Sequence, residues 1–288
     1  MRTRREPPIQ IKTPAQLAKM REAGLVVSRT LDALSAAVEP GITTADLDAI
    51  ADRAIRDAGA VPSFKGYHGY PATICTSVND QIVHGIPSPG TRLAAGDVIS
   101  VDCGAIVDGW HGDAARTIAV GPVSEEHARL LEACERALWR GLAMARPGQR
   151  LTDISHAVEM SARASGNYGI VRDYVGHGIG TEMHMDPPVP NYGRAGRGPE
   201  LIEGMALAIE PMLVLGRPST VLLDDGWTVV SADGGWSAHF EHTVAITEAG
   251  PWVLTAEDGG ESGFERLRAE SAPAADPVQV SAGASSTS

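Results

Sequence analysis

The sequence predicts an α+β domain of two pseudo-symmetric α/β halves, whose strands form a curved, mainly antiparallel sheet with helices on its outer side. Two observations carry this. Pro40 to Gly59, PGITTADLDAIADRAIRDAG, is answered by Pro147 to Gly166, PGQRLTDISHAVEMSARASG, at a separation of 107 residues. Further on, LAAGDVISVD from Leu93 meets LIEGMALAIE from Leu201 at a separation of 108. Self-similarity at one long period marks two equivalent units, and helical patterns mixed with strands in each unit lay helices against a sheet.

The elements follow in chain order. The first ten residues, MRTRREPPIQ, read as a flexible arm, solvated through Arg2, Arg4 and Arg5. A single folded domain then spans residues 11–257, with halves at about 11–121 and 122–257. In each helical repeat a Pro-Gly turn and a Thr available to cap precede an amphipathic helix that a Gly terminates. The later repeat ends a strand in an acid in both copies, Asp102 and Glu210. After Leu267 the chain is rich in Ala, Ser, Gly and Pro. Such a segment buries too little surface to offset its ordering entropy, so residues 258–288 read as a disordered tail.

Composition narrows the function classes. With 288 residues, 43% hydrophobic and only 5% aromatic, the chain has the makings of a sizeable core. A net charge of -12 argues against a stable nucleic-acid complex. No apolar run reaches transmembrane length and the start lacks a secretion-type apolar segment, which makes the cytoplasm the expected compartment. Cys75, Cys103 and Cys134 match no zinc or disulfide framework, and Cys103 and Cys134 read as small buried hydrophobes.

The stretch GDVISVDCGAIVDGWHGDAART sets two carboxylates, Asp102 and Asp113, inside otherwise buried β-structure. A turn at Asp108-Gly109 returns the chain as a second strand, and with a two-residue loop the two acids share a face, opposite or diagonal to each other. Small neighbours, Ser100 beside Asp102 and Ala208 beside Glu210, leave room on that face. In the second half HTVAI answers RTIAV of the first, and Glu241 lies two positions beyond the counterpart of Asp113. Two positions preserve the face. Asp102, Asp113, Glu210 and Glu241 are therefore expected to point into one space between the halves.

Four converging carboxylates repel one another in a partly dry site and require compensating positive charge. Arg116 is the one basic residue close by in sequence, so a divalent cation is the economical source. YVGHGIGTEMH offers neutral nitrogen ligands, His177 and His184; glycines on both sides of His177 suggest close backbone approach. The glycine spacing there does not give a nucleotide-binding fingerprint.

Taken together and in order, VDCG, HGDAART, GHGIG, AIEPM and FEHTV resemble the type I methionine aminopeptidases of the pita-bread fold, over roughly residues 11–255. The resemblance implies five metal ligands, Asp102, Asp113, His177, Glu210 and Glu241, holding two divalent ions of cobalt, manganese, iron or zinc. It implies that they activate a water for attack on the peptide bond, with Glu210 moving its proton and His84 and His184 contacting substrate. It places Tyr67, Tyr70, Cys75 and Trp227 around an apolar pocket for the methionine side chain. Asn79 and Asp80, in the loop with His84, read as ordinary turn residues. Met183 and Phe64 depart from the pattern, standing where many relatives carry an aromatic residue and some a Cys.

The implied activity is removal of the first methionine from nascent polypeptides, at the ribosome, by a monomer that prefers a small second residue. Two other readings compete. A Xaa-Pro aminopeptidase or dipeptidase shares the fold and ligands, but such proteins typically carry a large additional amino-terminal domain. A non-catalytic peptide-binding module of the same fold usually loses ligands, and this chain keeps all five.

Overall fold

A computed structural model describes residues 9–271. The helices are α1 (Pro14–Ala37), α2 (Thr44–Asp57), α3 (Glu125–Ala143), α4 (Leu151–Ser165) and α5 (Glu261–Ser271). The strands that carry the centre are β1 (Ile74–Val78), β2 (Val98–Val107), β3 (Trp110–Ala119), β4 (Gly176–Gly178), β5 (Ala206–Ile209), β6 (Ser237–His239) and β7 (His242–Thr247). The pairings described are antiparallel, as expected, and they group into four ladders. In the first half β1 and β3 flank β2; in the second, β4 and β7 flank β5.

Each half has its own core. Val27, Leu31 and Leu34 of α1 and Leu47, Ala51 and Ile55 of α2 cluster with Ile99, Val101 and Cys103 of β2. Leu130, Leu138 and Leu142 of α3 and Ile154 and Val158 of α4 do the same with Leu207, Ile209 and Val244. Helices thus pack on the β1–β2–β3 ladder in the first half and on the β4–β5–β7 ladder in the second. Cys103 and Cys134 are both buried in these cores, as small hydrophobes.

The two repeat helices begin differently. In α2 the Thr43 hydroxyl accepts from the Asp46 amide at 3.1 Å, and the Asp46 carboxylate accepts from the Thr43 amide at 3.0 Å. This is a reciprocal cap. In α4 Asp153 accepts from the Arg150 amide at 2.7 Å, but the expected capping Thr is absent from the cap position. Thr152 lies inside the helix and donates to the Arg197 carbonyl at 3.1 Å instead.

The β2–β3 hairpin turns at Asp108 (φ 49°) and Gly109 (φ 79°), both left-handed. That pattern matches the strand twist and fixes the register tightly. Asp102 is paired with Ala115 and Asp113 with Gly104, so the two acids are diagonal neighbours on one face. Across β1, Cys75 is the partner of Asp102.

The halves join through β3 and β7. The Glu241 amide donates to the Ala115 carbonyl at 2.9 Å and the Ala115 amide to the Glu241 carbonyl at 3.3 Å. On one side of this pair Thr243 Oγ1 accepts from the Asp113 amide (3.1 Å) and donates to its carbonyl (2.8 Å). On the other side Thr117 Oγ1 does the same to His239, at 2.8 Å in both directions. The six bonds form a two-fold clasp.

The chain ends need correction. Residues 258–288 were expected to lack structure, yet α5 forms over Glu261–Ser271, with Leu267 buried and the Phe264 ring 5.4 Å from that of Trp139. Phe264 and Leu267 sit three apart and make a short apolar stripe on a polar helix. Gly263 lets the helix lie directly on the Trp139 ring. At the other end Ile9 packs on the second core and Gln10 Nε2 donates to Thr181 Oγ1 at 2.9 Å, so the expected ten-residue arm is already anchored by residue 9. The remainder of both expected segments, residues 1–8 and 272–288, lies outside the described residues.

Candidate metal centre and active site

The four acids meet. Asp102 and Asp113 come from the hairpin, and Glu210 and Glu241 stand at the ends of the paired strands β5 and β7. His177, in β4 beside β5, completes the group: its Nε2 lies 3.5 Å from Glu210 Oε1 and 4.0 Å from Asp113 Oδ2. Ligating atoms of Asp113, His177 and Glu241 all lie within 4.8 Å of one another. All five side chains line one cavity of about 410 Å³.

The electrostatics demand a cation. Burial pushes Asp102 up to about 7. Burial first, and then the neighbouring carboxylates, push Asp113, Glu210 and Glu241 well above the ordinary range. Asp102 and Asp113 face each other as diagonal neighbours of the hairpin, so ionising one opposes ionising the other. Asp102 Oδ1, Asp113 Oδ1 and Glu241 Oε1 are buried without a hydrogen-bond partner. Buried polar atoms are ordinarily paired, so three orphaned carboxylate oxygens facing one space mark a missing positive partner.

His177 points the same way. Its Nδ1 faces the Gly178 carbonyl at 3.0 Å, and since a carbonyl only accepts, Nδ1 carries the proton. Nε2 is left as a lone pair directed at the carboxylates, and burial depresses its pKa to about 3. Lone pair against carboxylate is repulsive until a divalent ion sits between them. One neutral imidazole among oxygen ligands is a donor set suited to manganese, iron, cobalt or zinc.

The glycines beside His177 do allow close backbone approach, and the partner is protein backbone. A Cβ at Gly176 would stand 2.3 Å from the Ala208 carbonyl, and one at Gly178 would stand 2.2 Å from the Asp186 carbonyl. The close approach is to neighbouring strands, and the glycines let β4 lie near enough to aim His177 inward.

The two further histidines flank the acids. His184 Nδ1 is 2.9 Å from the Tyr67 hydroxyl, and its ring lies 4.3 Å from that of His177. His84 holds a left-handed backbone (φ 60°), unusual outside glycine and characteristic of functional positions. Its ring meets Tyr174 at 5.6 Å and Trp227 at 6.5 Å, and burial, then His184, lowers its pKa to about 4. Burial also lowers that of His184. Asn79 and its neighbour Asp80 make the turn as expected: Asn79 Nδ2 donates to Asp97 at 2.9 Å and Oδ1 accepts from the Val98 amide at 3.0 Å.

The apolar wall is formed by Phe64, Tyr70, Ala72, Cys75 and Met183, with Tyr67 and Trp227 packed against them. Tyr67, Tyr70, Cys75 and Trp227 all line the cavity, and so do the two departures from the motif, Phe64 and Met183. Tyr70 is fixed through its hydroxyl to the carbonyls of Ile74 and Gly85, while its ring stands 5.0 Å from Trp227.

Sequence reasoning missed two buried histidines. His111 Nδ1 is 3.1 Å from Ser63 Oγ, and its pKa is lowered to about 4 by burial and then His184. His239 is 2% exposed and approaches two of the acids. The repeat held the signal for His239. It lies 126 residues after Asp113, the offset that relates Thr117 to Thr243.

Comparison with known proteins points to a metallopeptidase. The family model for metallopeptidase family M24 matches residues 18–248. A methionine aminopeptidase of Clostridium acetobutylicum is 53% identical over 247 residues, 86% of this chain and 98% of that protein. Methionine aminopeptidase 1 of Mycobacterium tuberculosis is 53% identical over 249 residues, 85% of this chain and 94% of that one. Among solved structures, a methionine aminopeptidase from Thermotoga maritima superposes with a TM-score of 0.85 at 42% identity, covering 87% of this chain and all of its own. A prolidase from Pyrococcus furiosus, 24% identical, shares the fold with a TM-score of 0.69 over 85% of this chain and 65% of its own.

Proposed function

The chain belongs to metallopeptidase family M24 and, within it, to the methionine aminopeptidases; on that premise we propose that it removes the amino-terminal methionine of nascent proteins whose second residue is small. The observation that carries this is the juxtaposition, in one cavity of about 410 Å³, of five candidate ligands and an apolar wall of Phe64, Tyr70, Cys75, Met183 and Trp227.

Asp102, Asp113, His177, Glu210 and Glu241 would hold two divalent ions. Such ions supply an activated water and a polarised carbonyl. Glu210, 3.5 Å from His177, would be the carboxylate placed to take up a proton from that water. His84 and His184 are neutral at physiological pH and donate hydrogen bonds to the scissile group as negative charge develops. Tyr67 fixes the ring of His184. Phe64, Tyr70, Cys75, Met183 and Trp227 exclude water and grip an unbranched apolar side chain, to which Met183 can adapt.

The preference for a small second residue, action on nascent chains at the ribosome and a cytoplasmic setting rest on the motif resemblance. The monomeric state is proposed on that same resemblance. The test is hydrolysis of Met-Ala-Ser against a series of proline-second dipeptides, in chelator and with Mn²⁺ or Co²⁺ restored. Metal-dependent release of free Met from the tripeptide alone is expected. Preferential cleavage of the proline series would move the chain to prolidase-like chemistry, and inert metallated protein would leave a binding module.

A further inference from the structure

His239 is the second-half counterpart of Asp113. Both lie beside the same clasp, each with its backbone amide and carbonyl bonded to a Thr hydroxyl, Thr243 for Asp113 and Thr117 for His239. Where the first half places a carboxylate that reaches the cavity, the second half places an imidazole that stops behind it. Its Nε2 is buried without a hydrogen-bond partner, 3.9 Å from Glu210 Oε2 and 3.9 Å from Glu241 Oε2. Asp113, His177 and Glu241 form the compact donor cluster, and His239 stands outside it.

We propose that His239 is a positioning residue for the metal centre: its Nε2–H donates to the outer oxygens of Glu210 and Glu241 and holds both carboxylates in their ligating orientation. The inference rests on the metal-holding role of those two acids. Once a cation keeps both ionised, each offers only acceptor atoms to the imidazole, so the proton belongs on Nε2. At 3.9 Å both oxygens stand about 1 Å beyond hydrogen-bond length, so each carboxylate must turn that far toward the ring when the cations are bound. A histidine serves here because a neutral donor adds no charge that competes with the cations, whereas Lys or Arg in the same place would. Ligands at metal sites are generally held by such outer partners, whose loss lowers metal affinity about 10–100-fold.

The test uses the full chain and two readouts. Calorimetric titration with Mn²⁺ compares wild type, His239→Gln, which keeps an N–H donor, and His239→Met, which fills the space without one. The expected result is a loss of about 10–100-fold in Mn²⁺ affinity for His239→Met, with His239→Gln restored to within a few-fold of wild type. The Zn²⁺-loaded wild-type protein, labelled with ¹⁵N at histidine, is expected to show a slowly exchanging Nε2–H for His239; this readout stands if His239→Met does not fold. An unprotonated Nε2, unchanged Mn²⁺ affinity in His239→Met, or equal losses in both variants would overturn the proposal. Wild type that binds no Mn²⁺ would instead remove the metal-holding premise itself, which keeps the two failures apart.

Discussion

The Thr243 hydroxyl clasps the backbone of Asp113 from the opposite half of the molecule, accepting from its amide at 3.1 Å and donating to its carbonyl at 2.8 Å. A ligand of the first half is therefore positioned by a strand of the second. Replacing Thr243 by Val keeps the shape and removes both bonds. Leaving buried backbone groups unsatisfied costs about 1–3 kcal/mol. Thr243→Val is expected to lower the midpoint of thermal unfolding and to weaken Mn²⁺ retention, read by denaturation and by dialysis against chelator. Unchanged metal retention would mean that the clasp is only structural.

Tyr67 and His184 give a second prediction. The Tyr67 hydroxyl is 2.9 Å from Nδ1, and by donating there it leaves the proton on Nε2, the nitrogen available to substrate. Tyr67→Phe frees the ring to turn. Metal content should stay at the wild-type level while kcat on Met-Ala-Ser falls roughly tenfold, the equivalent of one net hydrogen bond. A variant with full kcat would remove Tyr67 from the orienting role.

The metal-free protein should become less stable as pH rises above about 6.5. Asp102 has its folded-state pKa raised to about 7, and those of Asp113, Glu210 and Glu241 are raised well above their ordinary values. In that range the unfolded chain has released these protons and the folded chain still holds them, so stability declines with pH. The buried histidines act in the opposite sense on the acid side. His177, His239 and His242, lowered to about 3, and His84, lowered to about 4, stay neutral in the fold while the unfolded chain takes up protons below about 6.5. Stability is then lost as pH falls. Thermal unfolding in chelator should show a maximum near the unfolded histidine value, and Mn²⁺ should restore stability most on the alkaline side. A curve that keeps rising to pH 8.5 without metal would contradict this.

Gly178 and Gly41 make a matched pair. A Cβ at Gly178 would press on the Asp186 carbonyl at 2.2 Å, against backbone that cannot yield, whereas one at Gly41 meets nothing within 4 Å and suffers only from φ 99°. Overpacking typically costs about 1–3 kcal/mol and occasionally more. Gly178→Ala should fall at or above the top of that range and lose metal binding, while Gly41→Ala costs about 1 kcal/mol. Chemical denaturation of both variants checks the order.

Much of this was legible from residues alone, because the fold repeats itself and strand alternation is a parity rule. The two-residue turn at Asp108-Gly109 fixed the face shared by Asp102 and Asp113, and the offset between the halves brought Glu210 and Glu241 to the same space. What failed to show was set by packing. The tail's polar composition hid the Phe264 and Leu267 stripe that fits Trp139, and the glycines at 176 and 178 answer to neighbouring strands that sequence alone does not locate. His239 was overlooked because a lone His before an acid has no local pattern; only its place in the second copy gives it meaning.

Crystals grown with Co²⁺ and measured on both sides of the cobalt absorption edge test the central claim most directly. Two anomalous peaks among Asp102, Asp113, His177, Glu210 and Glu241 are predicted, each within coordination distance of carboxylate oxygens from both halves. No peak in that cavity, or cobalt bound only at surface histidines, would contradict the account.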